Sequence, residues 1–295
     1  MTHDEMMAQI ENGQGFIAAL DQSGGSTPKA LRGYGIKEDS WSGEDEMFAL
    51  IHAMRSRIVT APCFGNGKVI GAILFEKTMD GDVDGRPVPD VLKARGIVPF
   101  IKVDQGLEDE RDGAQLMKPL DKLDALLSKS VAKGMFGTKM RSVIKAANRE
   151  GIRAIVDQQF EVGNRICEAG LVPILEPEYD IHAADRGEGE KILLEGLQRS
   201  LDALPERRKV MLKLSIPVEA NLYKPLIDHP NVARIVALSG GYSTEEACER
   251  LAQNDGMIAS FSRGLLQDLR ASQSDEEFNA TLSRAIDRIH TASVG

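Results

Sequence analysis

Short apolar runs alternate along the chain with longer segments in which apolar residues recur every three to four positions. The short runs have the length of strands and are bounded by glycine, proline or polar residues. They occupy 15–21, 69–76, 96–104, 137–144, 171–178, 209–216, 232–240 and 257–263. The longer segments predict amphipathic helices. The clearest of these helices are expected at 45–59, 120–132, 155–168, 189–203, 244–253 and 275–293.

Strands that alternate with helices predict a parallel sheet covered by helices. Eight such units in 295 residues predict a closed (β/α)8 barrel, the TIM barrel, with 1–295 as a single domain. We interpret 77–95 as a long, loop-rich connection after the second strand and not as a domain boundary. An open doubly wound sheet is the alternative fold, and it should carry G-x-G-x-x-G after its first strand. The chain has DQSGGS at that place, which weakens this alternative.

A lysine interrupts the apolar alternation of the sixth predicted strand. Within 209–216 the even-numbered positions from Val210 to Ile216 are apolar and suit a face covered by helices, whereas Lys213 has the opposite parity and points into the barrel. Burying a lysine charge is costly unless the amine is paired or neutral. Burial and neighbouring cations both lower the pKa of a lysine, and a neutral amine can attack a ketone to form an iminium.

Polar and charged residues recur near the ends of the other predicted strands. In a barrel these ends converge on one mouth, where active sites are built. Carboxylates there can carry protons, cations suit phosphate groups, and a glycine turn before a helix exposes backbone N–H groups to an anion. A buried network of ion pairs is the alternative explanation. The residues concerned are Asp21, Lys102, Asp104, Lys139, Arg141, Glu176, Glu178, Ser239, Gly240, Gly241 and Arg263.

The composition of the chain argues against several classes of function. The net charge of −9 disfavours nucleic acid and anionic membranes as partners. No apolar run is long enough to span a membrane, and the polar N-terminus does not resemble a secretory signal. Three widely separated cysteines fit a reducing cytoplasm, and five histidines without H-x-H or H-x-x-x-H spacing argue against a metal site. We therefore expect a cytoplasmic enzyme that acts on a small molecule without a metal.

Across residues 15–268 the chain resembles class I fructose-bisphosphate aldolase. The segments that carry the resemblance are, in order, ALDQSGGSTPKAL, AILFEKTMD, DGRPVPDVLKARG, PFIKVDQGL, TKMRSVIK, LVPILEPE, MLKLSIP, LSGGYSTEEA and SFSRGL. The resemblance implies an aldehyde-lyase of glycolysis and gluconeogenesis. Such an enzyme reversibly cleaves fructose 1,6-bisphosphate to dihydroxyacetone phosphate and glyceraldehyde 3-phosphate. It does so through a Schiff base on a lysine, with no metal.

The resemblance also implies roles for individual residues. Lys213 would form the Schiff base, Glu176 would act as general acid and base with Glu178 as its partner, and Asp21 would work at the bond that is cleaved. The other implied site residues would flank the reacting carbons or hold the two phosphates. They are Lys102, Lys139 and Arg141, the first-loop residues Ser23 and Ser26, the ketone-side phosphate turn Ser239, Gly240 and Gly241, and the phosphate-binding Arg263.

The chain departs from the family pattern at four places, one of which is an FSRG turn that is one residue shorter than in animal members. Gln22 replaces an acidic residue, Ala30 stands where many members have arginine, and the C-terminus lacks the terminal tyrosine of animal members. Other Schiff-base barrel enzymes, such as a transaldolase or a deoxysugar-phosphate aldolase, remain alternatives. A phosphosugar-binding scaffold is a further one, although the set of Lys213, Glu176 and Lys139 argues against it. Because class I aldolases are often oligomers, a homo-oligomer also stays open.

Overall fold

The computed structural model describes residues 1–295, and its main sheet has eight parallel strands plus the two residues Ala114–Gln115, which pair antiparallel with the fourth. Each strand pairs with the next one along the chain, so the predicted (β/α)8 barrel is confirmed. The strands are β1 Phe16–Leu20, β2 Val69–Leu74, β3 Val98–Lys102, β4 Gly137–Ile144, β5 Val172–Tyr179, β6 Val210–Ser215, β7 Val232–Leu238 and β8 Ile258–Ala259.

Twelve helices surround or cap these strands. All six predicted helices are present, and the structure adds six others that are mostly short. The helices are α1 His3–Asn12, α2 Ser26–Gly33, α3 Gly43–Thr60, α4 Glu76–Asp80, α5 Val88–Ala94, α6 Leu123–Ala132, α7 Arg149–Glu168, α8 Arg186–Asp202, α9 Lys224–Ile227, α10 Thr244–Leu251, α11 Arg263–Leu266 and α12 Asp275–Val294.

Local sequence signals fix several of the helix starts. At α1 and α12, Thr2 and Ser274 each accept the backbone N–H of the glutamate three residues on, whose carboxylate accepts the cap N–H in return. Asn148 caps α7 through its side-chain oxygen, which accepts the N–H groups of Glu150 and Gly151. These caps satisfy the first free N–H groups of the helices that wrap the barrel.

The ring closes between β1 and the segment that follows β8. The N–H of Ala19 donates to the carbonyl of Phe261 at 3.4 Å, so the first and last strand segments meet. β8 itself has only two residues, shorter than the predicted run, because the chain leaves the sheet soon after Ala259. The closed ring brings the ends of all eight strands to one mouth.

Two apolar clusters lie on opposite faces of the strands. The outer and larger cluster joins the strands to the helices and includes Leu212 and Leu214 of β6. The inner cluster fills the barrel, with Met211 of β6 among its members. Met6 and Ile10 of α1 belong to this inner cluster and seal the N-terminal end. Apolar side chains fill the lower barrel, and Arg234 near the start of β7 donates there to the carbonyls of Ile10 and Gly13.

Residues 77–95 do connect the second strand to the third, but the expectation that they are rich in loop is wrong for most of their length. The segment contains the end of α4, a short antiparallel hairpin of Asp82–Val83 with Arg86–Pro87, and α5. Asp84 and Gly85 form the hairpin turn, both with positive φ (51° and 72°). An Asp-Gly pair is typical of such a two-residue turn. The three elements are short, so periodicity over a longer window does not reveal them.

Candidate active site

A cavity of about 1150 Å³ opens at the C-terminal mouth of the barrel. Residues that follow or end most of the strands line it, as the alternation of strand side chains predicted. Of the thirteen site residues inferred from the sequence, only Gly241 is not in its wall. The twelve that line it are Asp21, Ser23, Ser26, Lys102, Lys139, Arg141, Glu176, Glu178, Lys213, Ser239, Gly240 and Arg263.

Side chains of alternating charge form a row of ion pairs across the floor of this cavity. The Nζ atom of Lys213 lies 3.0 Å from Oε1 of Glu176, and Oε2 of Glu176 lies 3.0 Å from Nζ of Lys139. Lys139 Nζ is also 2.6 Å from Oδ2 of Asp21. The Lys213 side chain is only 5% exposed. One carboxylate thus bridges two buried amines, a geometry that allows proton exchange near a group bound to Lys213.

The ordering of the strands explains why these residues meet. Lys139, Glu176 and Lys213 come from the neighbouring strands β4, β5 and β6, each on the parity that faces the barrel axis. Asp21 directly follows β1, which lies across the mouth. Three adjacent strands and one opposite strand therefore deliver four charged groups to one point.

The carboxylates and lysines of the cluster stabilise each other's charged forms against the effect of burial. Burial alone would raise the pKa of Asp21, but the positive charges of Lys139 and Lys213 lower it to about 2. Burial also opposes ionisation of Glu176, yet the same two lysines keep its pKa below the ordinary value. Burial would lower the pKa of Lys139, but Asp21, Glu176 and Asp104 raise it well above the usual range. Both carboxylates and Lys139 are accordingly charged at neutral pH.

Ionised Asp21 should contribute to stability in a defined pH window. Its native pKa of about 2 lies below the ordinary 3.8, so its contribution is present above pH 4 and is lost as the pH falls towards 2. Asp21→Asn should be less stable than the unaltered chain at pH 5 by roughly 2 kcal/mol. The difference in urea unfolding free energy between the two proteins should shrink towards pH 2. A difference that stays constant from pH 5 to pH 2 would contradict this expectation.

Asp104 is a site residue that the sequence-based assignment left without a role. Its Oδ1 atom lies 2.8 Å from Nζ of Lys102, and its Oδ2 atom lies 3.8 Å from Nζ of Lys139 and accepts the backbone N–H of Arg141 at 3.3 Å. Lys102 also donates to the Asp104 carbonyl at 2.6 Å. The shared parity of Lys102 and Asp104 was the signal that could have identified it. Asp104 orients two of the cavity lysines.

Glu178 has a different neighbour from the one that the resemblance implies. Its Oε2 atom accepts from Nε of Arg141 at 2.5 Å, and it makes no ion pair with Lys213. Burial opposes the charge of the half-buried Arg141 guanidinium, but Glu178 raises its pKa above the ordinary value. Arg141 and Glu178 thus form a charged pair on the cavity wall, above the Lys213 cluster.

The glycine turn after β7 has the shape of an anion cradle. Gly240 and Gly241 have positive φ (63° and 133°), and a Cβ atom on Gly240 would come within 2.5 Å of Ile181. Their backbone N–H groups make no hydrogen bond within the chain. The Arg263 guanidinium lies beside Gly241, 3.8 Å from the place of a Cβ atom there. Arg263 begins α11 and does not end β8 as the sequence suggested, because the strand stops at Ala259.

A buried arginine holds the loop that carries Asp21. Arg55 of α3 is 1% exposed and donates to the Gln22 carbonyl at 2.5 Å and to Oγ1 of Thr78 at 2.7 Å. Gln22 donates in turn to the Ala19 carbonyl at 3.0 Å and to the Ser262 hydroxyl. These contacts tie the first loop of the barrel to the last. Arg55 was missed, although its place on the apolar face of α3 was a usable signal.

Three general features of the chain complete the description. No three His, Cys, Asp or Glu side chains come together as a group that could hold a metal ion. None of the helices is both long and apolar enough to cross a membrane. All three cysteines are free thiols.

Comparisons with known proteins agree with this architecture. Fructose-bisphosphate aldolase from Plasmodium falciparum, solved in complex with TRAP and a small-molecule inhibitor, is 19% identical with a TM-score of 0.73; the match covers 99% of this chain and 94% of that one. Cgl0159 from Corynebacterium glutamicum is 14% identical with a TM-score of 0.51, over 98% of this chain and 92% of that one. These likenesses show the fold.

A family comparison extends this result to the sequence. The sequence model of the family described as fructose-bisphosphate aldolase class-I matches residues 3–192, which include β1 to β5 and the start of α8. Lys213 and the glycine turn lie beyond this segment, in a part of the barrel that the structural likeness covers. The chain belongs to the class I fructose-bisphosphate aldolase family, whose members act through a lysine Schiff base and use no metal.

Proposed function

We propose that this protein is a fructose-1,6-bisphosphate aldolase in which Lys213 forms the Schiff base. One observation carries the proposal: a buried lysine at the barrel mouth contacts a carboxylate, Glu176, that also contacts a second buried lysine, Lys139. A nucleophilic amine needs a partner that takes and returns protons, and this carboxylate lies within hydrogen-bonding distance of both amines.

The first half of the reaction joins the ketone to the enzyme. The Lys213 ammonium group first passes a proton to Glu176, whose Oε1 atom lies 3.0 Å from Nζ. The resulting neutral amine attacks the ketone carbon of open-chain fructose 1,6-bisphosphate and gives a carbinolamine. Glu176 carries the proton that leaves with the hydroxyl group as water, and a positively charged iminium remains on Lys213. Lys139 stands beside Glu176 and keeps negative charge compensated while protons move.

The second half breaks the carbon–carbon bond. The bonding electrons move towards the iminium and form an enamine, while a carboxylate, Glu176 or Asp21, takes the proton of the neighbouring hydroxyl group. Glyceraldehyde 3-phosphate leaves. Protonation of the enamine and hydrolysis of the resulting iminium then release dihydroxyacetone phosphate and restore the amine. No step requires a metal or a redox partner.

The cavity has cations for two phosphate groups on opposite sides of Lys213. Ser239, the free N–H groups of the glycine turn and Arg263 follow β7 and β8, on one side of β6 in the strand order, whereas Lys102 and Arg141 belong to β3 and β4, on the other side. Arginine binds phosphate through two parallel hydrogen bonds, and lysine acts as a point charge. This arrangement favours a bisphosphate over a substrate with one phosphate. We further propose that 1–295 function as a single barrel domain, on its own or in a homo-oligomer.

Chemical trapping tests this proposal. The protein is incubated with dihydroxyacetone phosphate, reduced with borohydride, digested and mapped by mass spectrometry. We expect a stable substrate-derived mass on the Lys213 peptide and none on the peptides that contain Lys102 or Lys139. Turnover should survive treatment with a chelator. No adduct, an adduct on a different lysine, or loss of activity to the chelator would overturn the proposal.

A substrate panel tests the choice of sugar. Cleavage rates are compared for fructose 1,6-bisphosphate, fructose 1-phosphate and deoxyribose 5-phosphate. We expect the highest kcat/KM for the bisphosphate, because only that substrate can reach the cations on both sides of Lys213. A preference for either monophosphate would assign the chain to a different Schiff-base aldolase activity.

A further inference from the structure

A buried ion pair lies behind the glycine turn, outside the cavity. Arg186 and Glu190, one turn apart on α8, are 4% and 0% exposed, and Nε of Arg186 donates to Oε1 of Glu190 at 2.6 Å. Neither residue lines the active-site cavity. Burying such a pair removes two charges from water, and apolar residues of the same size often give equal stability. We therefore infer that the pair positions other groups and does not serve stability alone.

The two side chains join the end of β6 to the glycine turn. Arg186 donates from Nη2 to the Ile216 carbonyl and from Nη1 to the Tyr242 hydroxyl, the latter at 2.9 Å. Glu190 accepts the backbone N–H of Val218 at 2.8 Å. Ile216 lies three residues after Lys213, and Tyr242 directly follows Gly241. One guanidinium thus connects the strand that carries the nucleophile to the turn that would hold a phosphate.

Tyr242 is fixed from two further directions. Its backbone N–H donates to the Ser239 carbonyl at 3.0 Å and closes the turn. The Arg250 guanidinium of α10 stacks over its ring at 4.5 Å from the centroid. The two preceding glycines have wide conformational freedom. The N–H groups of such a flexible turn keep one direction only if a residue at its end, here Tyr242, is held in place.

We propose that Tyr242 is a positioning residue for the ketone-side phosphate. Its hydroxyl, held by Arg186, fixes the distance of Ser239, Gly240 and Gly241 from Lys213. At this distance the turn binds the phosphate of a substrate whose ketone carbon lies at the Lys213 amine. The inference rests on the proposed aldolase function and deepens it. Tyr242 touches neither the reacting atoms nor the cavity. Its loss should weaken phosphate binding and leave the chemistry at Lys213 unchanged.

The test compares Tyr242→Phe with a matched control, Tyr179→Phe. Tyr179 ends β5 and is fully buried, and its hydroxyl has no hydrogen-bond partner, so the control removes the same atom without losing a hydrogen bond. Borohydride trapping on Lys213 is measured against concentration for dihydroxyacetone phosphate and for unphosphorylated dihydroxyacetone. Steady-state cleavage gives KM and kcat, and thermal melts report folding.

In Tyr242→Phe the half-saturating concentration of dihydroxyacetone phosphate should rise about tenfold, the effect of one lost hydrogen bond to a charged group. Trapping of unphosphorylated dihydroxyacetone and kcat at saturation should stay within about twofold of the unaltered protein. Tyr179→Phe should match the unaltered protein in all readings. An equal rise for both ketones, an unchanged half-saturation, or the same rise in Tyr179→Phe would overturn the inference. Failure of the proposed function is distinct, since the unaltered protein would then give no adduct on Lys213.

Discussion

Lys213→Met should abolish turnover, by about 10⁵-fold or more, which is the scale on which loss of a covalent nucleophile acts. Methionine has a similar length to lysine and suits a buried site, but it cannot form an iminium. The barrel should still fold, since Glu176 keeps its contact with Lys139 at 3.0 Å after the Lys213 amine is removed. The loss should therefore lie in chemistry and not in structure.

Cleavage assays measure turnover, borohydride trapping measures Schiff-base formation, and circular dichroism reports whether the variant folds. Lys224→Met is the matched control, because the same substitution there removes an exposed lysine whose only ion-pair partner is Asp255, at 2.9 Å. The control should keep full activity. Lys213→Met with a native spectrum and turnover within tenfold of the unaltered protein would show that another group performs the chemistry.

The arrangement of the candidate site follows from two regularities of the sequence. Side chains alternate along a strand, so Lys213 between apolar neighbours of opposite parity had to face the barrel axis. Strand ends converge in a closed barrel, so Asp21, Lys139 and Glu176 had to approach Lys213 once eight strands were recognised. Both regularities are set by the backbone, which decides on which face of the strand each side chain starts. For this reason the candidate residues could be named before the structure.

Contacts between distant loops do not follow from such regularities. Gln22 reaches Ser262 across 240 positions of sequence, and Arg55 reaches Gln22 from a helix that covers the barrel. The choice of Arg141 as the partner of Glu178 likewise depends on side-chain directions within the mouth. Strand periodicity fixes which residues enter the cavity, whereas three-dimensional packing decides which of them pair.

Removing Lys139 should have the largest effect on stability. Its ammonium group lies within 4.0 Å of three carboxylates, those of Asp21, Glu176 and Asp104. Lys139→Met would leave these buried acids without their shared cation. Breaking a buried pair by removing one partner destabilises a protein by about 3–5 kcal/mol. Activity should fall as well, since burial without Lys139 favours protonation of Glu176 and Asp21.

The pH dependence distinguishes this charge effect from a simple packing defect. In the unaltered protein Lys139 lowers the pKa of both Asp21 and Glu176. Without it, burial raises those pKa values, and a carboxyl whose folded pKa exceeds its unfolded pKa destabilises the fold above the unfolded value. That penalty disappears as the pH falls and the acids take up protons. The deficit of Lys139→Met, measured by urea unfolding, should therefore be large at pH 7.5 and smaller at pH 5.

Two control variants show whether the loss of stability in Lys139→Met comes from its three ion pairs. Lys102→Met removes a lysine whose ion-pair partner is Asp104 alone, so its deficit should be clearly smaller than that of Lys139→Met. Lys224→Met, at the surface, should show almost none, because exposed pairs contribute about 0–1 kcal/mol. A Lys139→Met deficit that is equal at pH 7.5 and pH 5 would point to lost packing. It would then follow that Asp21 and Glu176 do not depend on Lys139 for their charge, and the proton chemistry assigned to the cluster would lose its basis.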